Sequence, residues 1–442
     1  MKCQTFAFTL TLLVASLAPQ VVHAQVFGSG PSDPALFNTV INLPPEPNIG
    51  NDESIGSGIQ LNVSDGGVVG EGFSNSGGEV NISDGAVVGE GFSTNFGGEV
   101  NISGGSIGSV SVALASVADI SGGSIDSVNV GVRGVADISG GSFNSFFSDV
   151  LSVVDISGGT FVSGFAFDRS EVNISGGTFS EIFTADKESN VNISDGLIGR
   201  FVAEESSDIS ISGGTFGESS EVGLNTIVDI SGGTFGQRFC ASMSWIDISG
   251  GTFGDFFELD GVIRANISGG SIGDNSIIDG ASVVNMSGGS IGDNLTLDFY
   301  SELNFSGGCI GDGFIANSSF VNIYGSQFVL NGDLLDSLVA DQSFTITEPI
   351  ESLSGVLADG QSFDFESVSF ESGTTVTVTL IAGPTDVLLL GDVNLDGVVD
   401  FLDIPSFIGA ITGGGFQIEA DINKDGAVDF LDIPLFIDLL TS

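Results

Sequence analysis

Between residues 59 and 326, apolar and polar positions alternate in short bursts that stop at paired glycines. In Ala118-Asp119-Ile120-Ser121 the alternation has a period of two, Gly122-Gly123 interrupts it, and Ile125, Val128, Val130 and Val132 resume it. That spacing predicts strands with one face buried, and no stretch of this region has the spacing of a ten-residue amphipathic helix. Aligned on the serine of V-[N/D]-I-S-G-G-[S/T]-[I/F]-G, the unit occurs fourteen times from Ser64 to Ser306 at intervals of 18 to 20 residues, with a worn fifteenth copy at Val321-Asn322-Ile323-Tyr324-Gly325.

So short a period defines a solenoid, in which each unit buries its apolar face only against its neighbours. Three short strands per unit, joined by tight glycine-bearing turns, describe one coil of a parallel β-helix. The fold class expected is therefore mainly β, a parallel β-helix of about fifteen coils. Right-handed coiling is expected because the period wanders and crossovers favour that hand.

Each column of the repeat has its own task. The isoleucine two residues before the glycine pair points inward, as does the residue two after it, which reads Phe143, Phe161, Phe179 and again Phe216, Phe235, Phe253. These rings should stack as an interior ladder, because large apolar residues at strand period belong inside. The intervening polar column runs Asn62, Asn81, Asn101, then Asp119, Asp137, Asp155, then Asn173, Asn192, Ser210, Asp229, Asp247, and finally Asn266, Asn285, Asn304, Asn322. Stacked amides can hydrogen-bond along the rod, whereas stacked carboxylates ~4.8 Å apart repel by roughly 1 kcal/mol per pair even in water. Short Asp runs suit a medium rich in salt or divalent cations. The Asn-x-Ser sequons arise from the repeat and are read as structural.

Sequence outside the repeat divides the chain further. Residues 1–24, with Lys2, the apolar run Phe6 to Leu17 and small residues before Gln25, have the form of a cleaved secretory signal. That run is too short to span a bilayer, so no membrane insertion is expected and the protein should be secreted or displayed at the cell surface. Residues 25–58 form a Pro-rich leader and cap, 59–326 the β-helix, 327–388 a strand-rich cap and linker, and 389–442 a separate module.

Composition narrows the function. The 442 residues include 57 Asp and Glu against 8 Lys and Arg, a net charge of −49, which excludes a nucleic-acid partner. Signal cleavage removes the one histidine, leaving no imidazole for catalysis or metal binding. Cys240 and Cys309 should lie several coils apart, too far for a disulfide, and are expected as free, packed thiols.

The most specific signal is C-terminal. Asp392-Val393-Asn394-Leu395-Asp396-Gly397-Val398-Val399-Asp400-Phe401-Leu402-Asp403 recurs 29 residues later as Asp421-Ile422-Asn423-Lys424-Asp425-Gly426-Ala427-Val428-Asp429-Phe430-Leu431-Asp432. Oxygen donors fall at loop positions 1, 3, 5, 9 and 12, the carbonyls of Val398 and Ala427 take position 7, and glycine at position 6 permits the sharp turn. Hard oxygen ligands without His or Cys suit calcium, one ion per loop and two in all.

Each loop leads into one short apolar segment starting at Ile404-Pro405 or Ile433-Pro434. This duplicated loop-and-helix pattern resembles the type I dockerin domain, a small α-helical module with tandem EF-hand-like loops. The resemblance implies that Asp392, Asn394, Asp396, Asp400 and Asp403, with Asp421, Asn423, Asp425, Asp429 and Asp432, ligate calcium. It also implies a cohesin-like partner module and, from the systems where dockerins are best known, a link to polysaccharide. The pair after the position-9 Asp, often Ser-Thr in cellulosomal dockerins and part of cohesin recognition, is here Phe401-Leu402 and Phe430-Leu431.

The repeat is similar to bacterial surface β-helices and, more distantly, to polysaccharide lyases of that shape. Arg133, Arg169, Lys187, Arg200, Arg238 and Arg264 read as scattered with no shared column, and the acidic clusters Glu204-Glu205 and Asp186, Glu188 are ordinary in so acidic a chain. The reading is an exported, non-catalytic rod attached through its C-terminal module. The alternatives are a dockerin-bearing enzyme or accessory protein of polysaccharide breakdown and a self-associating adhesin.

Overall fold

The computed structural model describes residues 39–44, 48–335, 338–347, 349–365, 369–371, 373–381, 391, 393, 399, 401–413, 420, 422 and 428–441. The signal segment and half of the Pro-rich leader lie outside the described residues. The chain divides into two compact units, one comprising residues up to 337 with 343–379, the other 338–342 with 380–442.

The first unit is a parallel β-solenoid of about 15 turns. Strand Val117–Ile120 pairs parallel with Val135–Ile138, placing Val117 against Val135 and Asp119 against Asp137. Strand Ser124–Val130 pairs in the same way with Ser142–Ser148. Every repeat thus hydrogen-bonds to its successor through like positions, which is why the sequence columns become physical columns. The ladder begins before the repeat is recognisable, because Thr39–Leu43 pairs in register with Ile59–Val63.

The paired glycines serve two different needs. At Gly122 an added Cβ would lie 2.5 Å from the carbonyl oxygen of Ser103 on the coil below, so no side chain fits. Gly123 has φ +95°, a backbone region that residues with Cβ rarely enter.

Inside the coil, Phe143, Phe161 and Phe179 stack with centroid spacings of 4.5 and 4.6 Å, and Phe216, Phe235 and Phe253 repeat the arrangement at 4.5 and 4.6 Å. Phe239 and Phe257 form a parallel interior stack that meets this second group edge-on. The expected interior ladder is therefore present, and its rings are buried.

On the outer face the amides form a directional chain. Asn62 donates to Asn42 at 2.8 Å, Asn81 to Asn62 at 2.9 Å and Asn101 to Asn81 at 2.9 Å. Each Asp run ends when the next Asn donates into it, Asn173 to Asp155 at 2.8 Å and Asn266 to Asp247 at 2.6 Å. Within the runs, burial pushes the Asp137 carboxyl above the usual range, helped by Asp119 and Asp155. Burial likewise raises Asp229, with Asp247 and Asp208 adding to the effect.

Parallel pairing gives way to antiparallel at the C-terminal end. Strand Phe320–Leu330 pairs antiparallel with Leu353–Leu357, and that strand pairs antiparallel with Ser362–Phe365. Phe305 and Phe314 of the last coils pack against Phe363, Phe365 and Phe370. A parallel pair persists beside these strands, Ser369–Phe370 on Ile315–Ala316, so the cap covers the last coils with both pairing directions.

Two expectations need correction. Cys309 is free but exposed, since it continues the outward Ser column opposite Ser290, so it is not the packed thiol expected. Arg133 and Arg169 do share a column. Both are left-handed, at φ 55° and 64°, in equivalent turn positions, where the Arg133 amide donates to the Val150 carbonyl and the Arg169 amide to the Lys187 carbonyl.

Candidate functional site

The second unit is built on a 29-residue duplication that the structure turns into near-equivalent halves. Helix α1 spans Ile404–Gly413 and helix α2 spans Ile433–Thr441. Asp403 precedes α1, and its carbonyl accepts the first helical bond from the Phe407 amide at 2.9 Å; Asp432 accepts from Phe436 at 2.9 Å. Pro405 and Pro434 consequently fall in first turns, where a missing N–H costs no intrahelical bond.

Apolar residues at matching positions hold the halves together. Val393, Phe407, Ala420, Ile422 and Phe436 form the core, with Ile404, Ile411, Val428, Ile433 and Leu440 packed around it. The rings of Phe407 and Phe436 stack at 3.9 Å between centroids.

Asp403 and Asp432 are both fully buried. An ionised carboxylate is tolerated there only with donors or a cation beside it, which is what position 12 of an oxygen-ligand loop provides. Around the second loop, the Asp429 amide donates to Oδ2 of Asp432 at 2.9 Å, and the Leu431 amide donates to Oδ1 of Asp429 at 2.7 Å. The turn therefore draws the position-9 and position-12 acids together. The remaining expected ligands, Asp392, Asn394, Asp396, Val398, Asp400, Asp421, Asn423, Asp425 and Ala427, lie outside the described residues. Among the described residues no three acidic, His or Cys side chains gather into a metal cluster.

The exposed surface is duplicated as well. Phe401 and Phe430 are 69% and 74% exposed, Leu402 and Leu431 67% and 66%, Ile408 and Ile437 54% and 52%. Paired accessibility at three equivalent positions means that each half presents the same apolar triplet to solvent. Apolar groups kept outside a core that could use them mark a binding surface.

Residues 390–441 match the family model of the dockerin type I domain. No curated protein and no solved structure matches the chain. The dockerin segment occupies the C-terminal end of a larger protein whose other unit is the solenoid. Type I dockerins bind calcium and attach to cohesin modules, and the buried position-12 acids fit that metal. Among the described residues no helix is long and apolar enough to cross a membrane.

The acidic clusters of the rod lie on its turn edge. Glu188 pairs with Arg169 at 2.8 Å, and Glu221 pairs with Arg200 at 2.7 Å. The Glu204 carboxyl is raised by burial first and then by Asp186, Glu221 and Glu205, while Arg200 acts the other way.

Proposed function

We propose that the protein is an exported, non-catalytic β-solenoid that a calcium-dependent C-terminal dockerin fastens to a cohesin-like partner. The supporting observation is the duplicated pairing of a buried acid with an exposed apolar pair, Asp403 beside Phe401-Leu402 and Asp432 beside Phe430-Leu431. In each loop the acid anchors the start of a helix, and the apolar pair is held outward by the same turn.

Two calcium ions would be held by Asp392, Asn394, Asp396, the Val398 carbonyl, Asp400 and Asp403, and by Asp421, Asn423, Asp425, the Ala427 carbonyl, Asp429 and Asp432. Bound calcium supplies the positive charge that offsets four carboxylates in each loop. The chain's own contribution is to bury Asp403 and Asp432 at helix starts, where the helix dipole favours negative charge. Metal binding then becomes folding free energy for the module.

Phe401-Leu402 and Phe430-Leu431 are the partner-facing groups, which makes the complementary face apolar. Secretion through residues 1–24 places the protein outside the cell, where millimolar calcium is compatible with weak loops. Calorimetric titration of the metal-stripped full chain with calcium tests the metal half of this reading. Two ions per chain are expected; uptake of none, or of an amount unchanged by D403A and D432A together, contradicts it.

Glu204 carries the one enzymatic alternative, an acid with a raised carboxyl beside Asp186 on the neighbouring coil, as a glycosidase acid would require. Release of reducing ends from polysaccharide that is lost in E204Q would establish it.

A further inference from the structure

One turn of the coil is tipped by two residues, the second of them left-handed at Arg133, Leu151, Arg169, Glu188, Ser206 and Asn225. These tips line up as one edge of the solenoid, because the amide of each second residue donates to the carbonyl of the first residue on the next tip. Arg133 donates to Val150, Leu151 to Asp168, Arg169 to Lys187, Glu188 to Glu205 and Ser206 to Leu224. The same bonding continues with Asn225 to Met243, Val262 to Gly280 and Ala281 to Phe299.

Toward both ends of this edge the tips are apolar and exposed. Phe96, Leu114 and Leu151 are 71%, 42% and 46% accessible on the N-terminal side, and Val262, Phe299 and Tyr300 are 71%, 55% and 69% accessible on the C-terminal side. Between them lie the charged tips Asp168-Arg169, Lys187-Glu188 and Glu205-Ser206. Arg133 brings the cations of these tips to the same number as the acids, so a chain of net charge −49 presents here an edge of zero formal charge. The acids one residue before the tips are engaged by the turn itself, since Asp149, Asp186 and Asp298 accept from the amides of Val150, Lys187 and Phe299. A long exposed apolar strip on a monomer marks an interaction surface.

We propose that this edge pairs with the same edge of a second copy of the chain, antiparallel, about a two-fold axis through the Lys187-Glu188 tip. Tips equidistant from the axis then meet. Lys187 faces Glu188 of the second copy, Arg169 faces Glu205, Leu151 faces Leu224 and Leu114 faces Val262. A parallel pairing would set Arg169 on Arg169 and Glu205 on Glu205, so charge selects the antiparallel one. A strongly acidic or basic partner gains nothing from an edge of zero charge, whereas a second copy matches the order of apolar and charged tips read in reverse. From Phe96 to Tyr300 the strip runs roughly 50 Å at ~4.8 Å per coil, long enough for a standard interface of ~800 Å² a side. A two-fold contact occupies the edge of both chains, so assembly stops at the dimer. On the docking reading above, such a dimer carries two dockerin segments and its attachment becomes bivalent.

The test is sedimentation velocity of the full chain over a wide concentration range, in chelator and again in calcium. A monomer-to-dimer equilibrium is expected, equal in both conditions and retained in about 0.5 M salt, where the repulsion between two acidic chains is screened. L151D combined with V262D, both at exposed tips, should weaken it at least about tenfold without moving the melting temperature. F256D, 45% exposed on a different turn, should leave it unchanged. R169E alone and E205R alone should each weaken it, and an equimolar mixture of the two should restore it, because each reversed charge then meets its opposite on the other chain. Monomer at every concentration, association undiminished in L151D with V262D, or a mixture no better than its components overturns the proposal. Growth past the dimer would mean a head-to-tail contact and overturns it too. Chelator abolishes docking and not this contact, so the two readings fail separately.

Discussion

The rings of Phe407 and Phe436 stack 3.9 Å apart, and they occupy the same position in the two halves of a 29-residue duplication. Each ring belongs to the helix that begins at a buried Asp, so anything that loosens Asp403 or Asp432 loosens this contact. Calcium bound at the loops would thereby be coupled to packing between the helices.

Removing calcium should unfold residues 391–441 and leave the solenoid unchanged. Amide exchange of the full chain, with calcium and with chelator, checks this. Protection should be lost for α1 and α2, including the Phe407 and Phe436 amides, while that of the coil strands stays constant. D403A should reproduce the loss in calcium, because the helix start and the loop lose the same group.

Partner capture should depend on the apolar pairs and folding should not. F401S with L402S, combined with F430S and L431S, replaces groups that are at least 66% exposed, so the calcium-induced fold is expected to survive. Capture of the full chain by an immobilised cohesin should fall by at least about tenfold, as for apolar groups at the centre of an interface. Circular dichroism alongside the capture assay separates the two effects.

Asp137→Asn should stabilise the rod at neutral pH. Burial, with Asp119 and Asp155, raises the Asp137 carboxyl, so its charged form is disfavoured in the fold. This penalty is full above the raised folded-state pKa, shrinks as pH falls through it, and is gone below the unfolded value of about 3.9. An amide there could also donate to Asp119 on the preceding coil, as Asn173 does to Asp155. The gain at pH 7 should exceed that near pH 4, where only the new hydrogen bond, worth about 1 kcal/mol, remains. Denaturant melts of the solenoid at the two pH values measure it.

Phe235→Ala should cost about 3–5 kcal/mol, because the cavity lies between two stacked rings and cannot collapse without shifting a coil. Phe216 and Phe253 lie on either side at 4.5 and 4.6 Å, with Phe239 edge-on at 5.4 Å. Local exchange at the strands bearing Phe216, Phe235 and Phe253 should accelerate most.

The interior was legible in the sequence because strand period and a strict repeat both report burial; Ile120, Phe143 and Phe161 are where the pattern puts them. The third strand was not. The chain bends near Ser127, two successive residues face outward, and the alternation changes phase, so Phe147 and Phe165 point out although Phe146 and Phe161 point in. The shared column of Arg133 and Arg169, two coils of 18 residues apart, was readable from the repeat spacing and was missed. At the C-terminus the loop spacing pointed to calcium, as the dockerin match also does for that family, because the candidate donors of one loop are close in sequence. The helix pairing through Phe407 and Phe436 depends on contact between distant copies, and spacing does not report it.

Attachment through the dockerin segment is the central claim, and surface plasmon resonance of the full chain over a panel of immobilised cohesins tests it most directly. Binding to at least one cohesin in calcium, abolished by chelator and restored when calcium is returned, is the expected result. Binding to none of them, or binding that chelator leaves intact, would contradict it.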